Sequence, residues 1–178
     1  MNAQNWQTIP DVLAPLRDLG TPAAAIVDLD AIRGGGADWS KFYRLMRLSD
    51  AERDAIGQQR ASSKAFLDAV PEIDGVRRFK THGIGALPVE QRQPLRELLK
   101  SLSEHGVFVV PVGELERWLS QHAIVGKKAR WVVNAFQVLG DDPSSVRYVH
   151  PGSGDVWRFI DGIASGLQTR NGRGRDKR

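Results

Sequence analysis

The chain has 178 residues, of which 41% are hydrophobic, enough for one domain with a packed core. It has no cysteine, which excludes disulfides and thiolate-bound metals, and no apolar run approaches the ~18 residues that a membrane-spanning helix requires. The formal charge of +4 lies in the tail, where Arg170, Arg173, Arg175, Lys177 and Arg178 outweigh Asp176; the rest of the chain is neutral.

The opening MNAQNWQ has neither the basic start nor the apolar core of a secretory signal, so a cytoplasmic location is expected. Ile9, Val12, Leu13, Leu16 and Leu19 recur at helical spacing, with Thr8 as cap, Pro10 in the first turn and Gly20 as the stop. Ala23 to Asp30, AAAIVDLD, then reads as a short buried strand that delivers Asp28 and Asp30 at its carboxyl end. Ligands of open α/β sheets collect at such ends, and paired carboxylates suit a hard cation. Aspartates also cap helices and fill turns, so the pair alone leaves both readings open.

Gly34-Gly35-Gly36 makes a loop without the spacing of a nucleotide-binding fingerprint. Trp39, Phe42, Tyr43, Leu45 and Met46 predict a helix, and Ser49 caps the next, whose first turn carries Asp50 and Glu52. That helix runs toward Phe66 and Leu67 and stops at Pro71. Asp74 to Gly85 reads as an exposed loop or a short irregular strand, and helical periodicity returns from Leu87 to Leu102. Val107 to Val110, VFVV, is the second buried strand, followed by Glu114 and Glu116 at the start of a helix with Trp118. Glu114 there suits either a site or the helix dipole, and Glu116 either a site or a pair with a basic neighbour.

Lys127 and Lys128 precede a helix through Val132, Val133, Phe136 and Leu139; either lysine could clamp a phosphate or start a surface helix. Asp141-Asp142-Pro143 is a turn. Ser153 caps a last helix with Val156, Trp157, Ile160, Ile163 and Leu167. The five tryptophans sit mostly at apolar helical positions and are expected to pack in the core. Residues 1–168 form the expected domain, and 169–178 a basic disordered tail whose Arg170, Arg173, Arg175, Lys177 and Arg178 could touch DNA phosphates.

Three segments carry a resemblance: TPAAAIVDLDAI (Thr21 to Ile32), HGVFVVPVGELERWL (His105 to Leu119) and DVWRFI (Asp155 to Ile160). Their order resembles the carboxyl-terminal Toprim domain of the overcoming-lysogenization-defect nucleases and related AAA/ABC-type ATPases of phage defence. The resemblance implies an α/β layered fold around a short, mostly parallel sheet. It implies that Asp28, Asp30 and Glu116, with Glu114 beside them, hold Mg²⁺ or Mn²⁺ for DNA phosphodiester cleavage, with Lys127 or Lys128 on the phosphate. The family's first motif, a glutamate in a Val-Glu-Gly context on the first strand, has no counterpart here.

Two functions are thereby set against each other. One is a Mg²⁺-dependent DNA nuclease domain, whole or a fragment of such an ATPase. The other is a catalytically inactive interaction or oligomerisation domain that docks on an ATPase domain, or on itself, through the sheet edge left by the missing strand.

Overall fold

Helical periodicity governs most of this chain, and helices make up most of the fold. The computed structural model describes residues 6–69, 79–126, 129–150, 152 and 154–175. In chain order the regular elements are α1 (Ile9–Asp18), β1 (Ala25–Val27), α2 (Gly36–Met46), α3 (Asp50–Asp68), α4 (Val89–Glu104), β2 (Val107–Val109), α5 (Leu115–Trp118), α6 (Ala129–Leu139) and α7 (Asp155–Arg175). Short 3₁₀ turns at Trp6–Thr8, Leu29–Arg33, Gly83–Ala86 and Ser120–His122 join them.

Among the described residues the sheet has two strands. β1 and β2 pair in parallel, Ala25 opposite Val107, Ile26 opposite Phe108 and Val27 opposite Val109. The expected layered, Toprim-like α/β sandwich is therefore corrected to a mostly helical domain around a two-stranded parallel sheet. Among the described residues only AIV and VFV form strands, and each is three residues long. Most of the other described apolar positions recur at helical spacing, which differs from the period of a strand.

The strand pair still organises the core. Ala25, Val27, Val107 and Val109 share one sheet face and are buried in the main hydrophobic cluster with Leu95, Leu98 and Leu102 of α4. α4 also packs on α3. The opposite face carries Ile26 and Phe108. Phe159 of α7 meets the Phe108 ring edge-on at 6.1 Å, and the Gly166 backbone passes so close that a Cβ there would lie 3.1 Å from Phe108 Cζ.

Local signals in the sequence are realised at the helix ends. Ser49 Oγ accepts from the Glu52 backbone N–H, and the Glu52 carboxylate accepts from the Ser49 N–H at 2.8 Å, a reciprocal capping box. The Ser49 hydroxyl also donates to the Glu52 carboxylate at 2.6 Å, and this bond, with that from the Ser49 N–H, holds the Glu52 carboxyl below the usual glutamate range. Ser49→Ala is expected to cost about 1 kcal/mol, read as a lower urea midpoint at unchanged slope. Arg17 ties the layers together: its guanidinium donates to the carbonyls of Leu45 at 2.7 Å, Ala23 at 2.9 Å and Gly106 at 3.3 Å. One side chain of α1 thus holds the end of α2 and the start of both strands.

Trp39, Trp118 and Trp131 are buried, as expected of core tryptophans. The stretch expected to be an exposed loop departs from that reading where it is described. Phe79 is buried in the main cluster and Ile84 beside it. Residues 70–78 lie outside the described residues, as does Ser153. α7 continues to Arg175, past Leu167, where the apolar periodicity ends.

Candidate functional site

Parallel pairing puts the carboxyl ends of β1 and β2 on one edge of the sheet, and the acidic residues follow from there. Asp28 ends β1 in extended conformation and opens the 3₁₀ turn that carries Asp30. After β2, Gly113 turns the chain with φ +101° into Glu114, the residue that precedes α5. Glu114 makes no side-chain cap bond to α5, and its carboxylate turns to Lys80 at 3.0 Å.

Lys80 reaches this edge because its segment is clamped against the exit of β2. The Glu114 N–H donates to the Lys80 carbonyl at 3.2 Å, and the Ile84 N–H to the Pro111 carbonyl at 2.8 Å. At the crossings the backbones nearly touch. A Cβ on Gly113 would lie 2.3 Å from the Phe79 carbonyl oxygen, and one on Gly83 2.0 Å from that of Pro111. The result is a small crevice of about 30 Å³ lined by Asp28, Asp30, Arg33, Lys80, Glu114 and the apolar Leu67 and Phe79.

The crevice perturbs its own charges. Burial raises the Asp28 carboxyl from 3.8 to about 6, Asp30, Glu116 and Glu114 add to the rise, and Lys80 opposes it. Asp28 remains exposed at the crevice mouth, so its crowding is one-sided, with protein behind the carboxyl and water in front. The hydrogen bond and charge of Glu114 push Lys80 above the usual lysine value, with Asp30 and Asp28 contributing. Arg33 is committed to Asp68 at 3.1 Å.

A folded-state pKa above the unfolded one means that the folded chain holds its proton more tightly. The ionised Asp28 therefore costs stability, starting as pH rises through about 4 and complete above about 6. Solvent screening holds this cost to about 1 kcal/mol. Asp28→Asn is expected to raise the melting temperature by about 2–4 °C near neutral pH and to leave it unchanged near pH 3.5, where aspartic acid is largely protonated in both states. Thermal melts across that range check both ends.

Of the residues expected at the site, Asp28, Asp30 and Glu114 line the crevice, while Glu116 is exposed and acts on Asp28 through its charge. Lys127 and Lys128 lie outside the described residues. Arg170, Arg173 and Arg175 lie on the backbone of α7, and Lys177 and Arg178 lie outside the described residues. Sequence reasoning missed Lys80. No motif surrounds it, and the clamp that delivers it is a long-range contact between backbones, signalled only by Gly83 and Gly113.

The expected Mg²⁺ or Mn²⁺ seat is corrected. Among the described residues no group of three or more histidine, cysteine, aspartate or glutamate side chains could hold a metal ion. The Glu114 carboxylate turns instead to the Lys80 ammonium, and Glu116 is not among the residues that line the crevice. A hard cation needs several ionised oxygens converging on one point.

No protein-family model matches the chain, nor does any curated protein or solved structure. Among the described residues no helix is long and apolar enough to cross a membrane.

Proposed function

We propose that this chain is a protein-interaction domain that docks through the outer face of α6. One observation carries the reading: Val132, Val133 and Phe136, on one side of this helix, are 40%, 55% and 71% exposed. Trp131 and Ala135 of the same helix are buried, so α6 is apolar on its inner and its outer side. Contiguous exposed apolar surface of this kind marks interaction sites.

Support also comes from the crevice. Phosphodiester cleavage was expected to run through Mg²⁺ on Asp28, Asp30 and Glu116, and the described residues offer that ion no seat. Their charges are occupied with one another, as the Lys80–Glu114 pair shows. The partner is an apolar, uncharged protein surface, because α6 from Trp131 to Gly140 carries no charged residue.

The test is the size of the chain's assembly in a gentle extract of its own cells, by gel filtration. The wild type is expected well above 19.7 kDa. A Val133→Asp, Phe136→Asp double variant, altered only at exposed positions and melting as the wild type does, is expected at the monomer position. Wild type and variant eluting together would overturn the proposal.

A further inference from the structure

A cleft runs between α1 and α2, on residues that neither α6 nor the crevice uses. We propose that it binds a small ligand with two or more oxyanion groups, either the phosphate chain of an organic phosphate or a polycarboxylate.

The cleft holds about 440 Å³, within the ~300–1,000 Å³ of small-molecule sites. Its lining sets Arg17, Lys41, Arg44 and Arg47 against Asp11 and Asp18, two more cations than carboxylates. Outside its basic tail the chain is neutral, so this excess is local. Lys41, Arg44 and Arg47 follow one another at three-residue intervals, each about 4.5 Å further along the helix axis. A ligand with several anionic groups meets them in turn, and guanidinium forks suit phosphate and carboxylate alike.

The fold itself uses only part of this charge. Lys41 donates to Asp11 at 2.7 Å and Arg47 donates to Asp18, pairs that tie α2 to α1. These side chains are exposed, Lys41 and Asp11 by 37% and 56%, Arg47 and Asp18 by 62% and 70%. Exposed ion pairs are weak, and an ammonium or guanidinium in one keeps further donors for a ligand. Arg44, between the two pairs in sequence, is exposed and has no ion pair among the described residues. Arg17 donates to the carbonyls of Ala23, Leu45 and Gly106, which fixes its guanidinium at the cleft wall.

The backbone of Arg47 is a second, independent observation. It caps α2 at φ +56° and ψ +45°, the left-handed region that glycine or asparagine usually fills at a helix end. An arginine is strained there, and strain of this kind gathers at ligand clamps.

Calorimetric titration of the purified full chain with inorganic pyrophosphate, and separately with citrate, tests the site. Binding of at least one is expected, and the stronger of the two shows whether phosphate or carboxylate groups are preferred. Arg44→Ala is expected to weaken it by about tenfold or more, the worth of a charge-assisted hydrogen bond. Arg47→Gly removes a cation and the strain together. It is expected to bind more weakly while melting at or above the wild-type temperature, whereas a purely structural cap would leave binding unchanged. Arg96→Ala, at an exposed position of α4 outside the cleft, is expected to bind as the wild type does.

No binding of either probe at millimolar concentration would overturn the proposal. Binding that both Arg44→Ala and Arg47→Gly leave unchanged would overturn it too, and would place the anion on the basic tail. An equal loss in Arg96→Ala and Arg44→Ala would also overturn it, as a response to net charge alone.

Discussion

Trp39→Ala is expected to remove about 3–5 kcal/mol of stability. Trp39 is almost wholly buried, its ring centroid 5.4 Å from that of Phe42 and 5.9 Å from that of Tyr43, and its indole N–H donates to the Ala31 carbonyl at 2.8 Å. Truncation leaves a large cavity and takes one of two donors from the Ala31 carbonyl, which keeps the Gly34 N–H at 3.0 Å. It also strips a charge of its cover. The Arg60 guanidinium lies 4.6 Å from the Trp39 ring centroid and donates to the Gly34 carbonyl, while its Nε has no hydrogen-bond partner among the described residues. Burial already lowers the Arg60 pKa. Without the aromatic face this buried cation loses one of its few compensations. A domain of this size has about 5–15 kcal/mol in total, so the variant is expected to be partly unfolded at physiological temperature. Urea unfolding followed by circular dichroism measures the loss. A cost below about 1 kcal/mol would mean that the Trp39 cluster is not central to the core.

Gly113→Ala is the second large effect, about 3–5 kcal/mol from positive-φ strain together with steric overlap. At φ +101° an L side chain is strained even in open space, and here the Cβ would meet the Phe79 carbonyl oxygen at 2.3 Å and that of Lys80 at 2.4 Å. Both atoms are backbone, so no rotamer change relieves the contact. Relief requires the segment carrying Phe79 and Lys80 to lift off the exit of β2. That movement breaks the Glu114 N–H bond to the Lys80 carbonyl and opens the Lys80–Glu114 pair. The variant is therefore expected to change the crevice as well as the stability. With Lys80 withdrawn, Asp28 loses its opposing positive charge, and its carboxyl should titrate higher than about 6. Carbon-detected NMR of the Asp28 side chain reads this shift, and an unchanged titration in a destabilised variant would show that the clamp does not place Lys80.

These two sites mark where the sequence was legible and where it was not. The Trp39 helix, the Ser49 cap, the two buried strands and their common direction follow from local periodicity and end signals, which are properties of neighbouring residues. The extent of the sheet does not. A run such as AAAIVDLD suits the centre of a wide parallel sheet, but the number of strands depends on partners elsewhere in the chain, and among the described residues there is one, of three residues. Lys80 escaped for the same reason. Its place is set by Gly83 and Gly113, thirty residues apart in sequence and both within a backbone's width of the opposite segment.

α6 shows a third limit. Val132, Val133 and Phe136 have the spacing of a core-facing helix, and were read from the sequence as the residues that define it. Trp131 and Ala135 define an equally good apolar side of the same helix, and these are the ones buried. Periodicity reports that a helix has an apolar face; it cannot rank two such faces, and the leftover one is what the chain offers to a partner.

The most direct measurement is photo-crosslinking in the cell with a photoreactive phenylalanine analogue at one of two positions, Phe136 on α6 or Asp30 in the crevice. Docking through α6 predicts covalent protein adducts from position 136 and none from position 30. Adducts from position 30 with none from position 136 would contradict it and return the function of the domain to the acidic edge of the sheet.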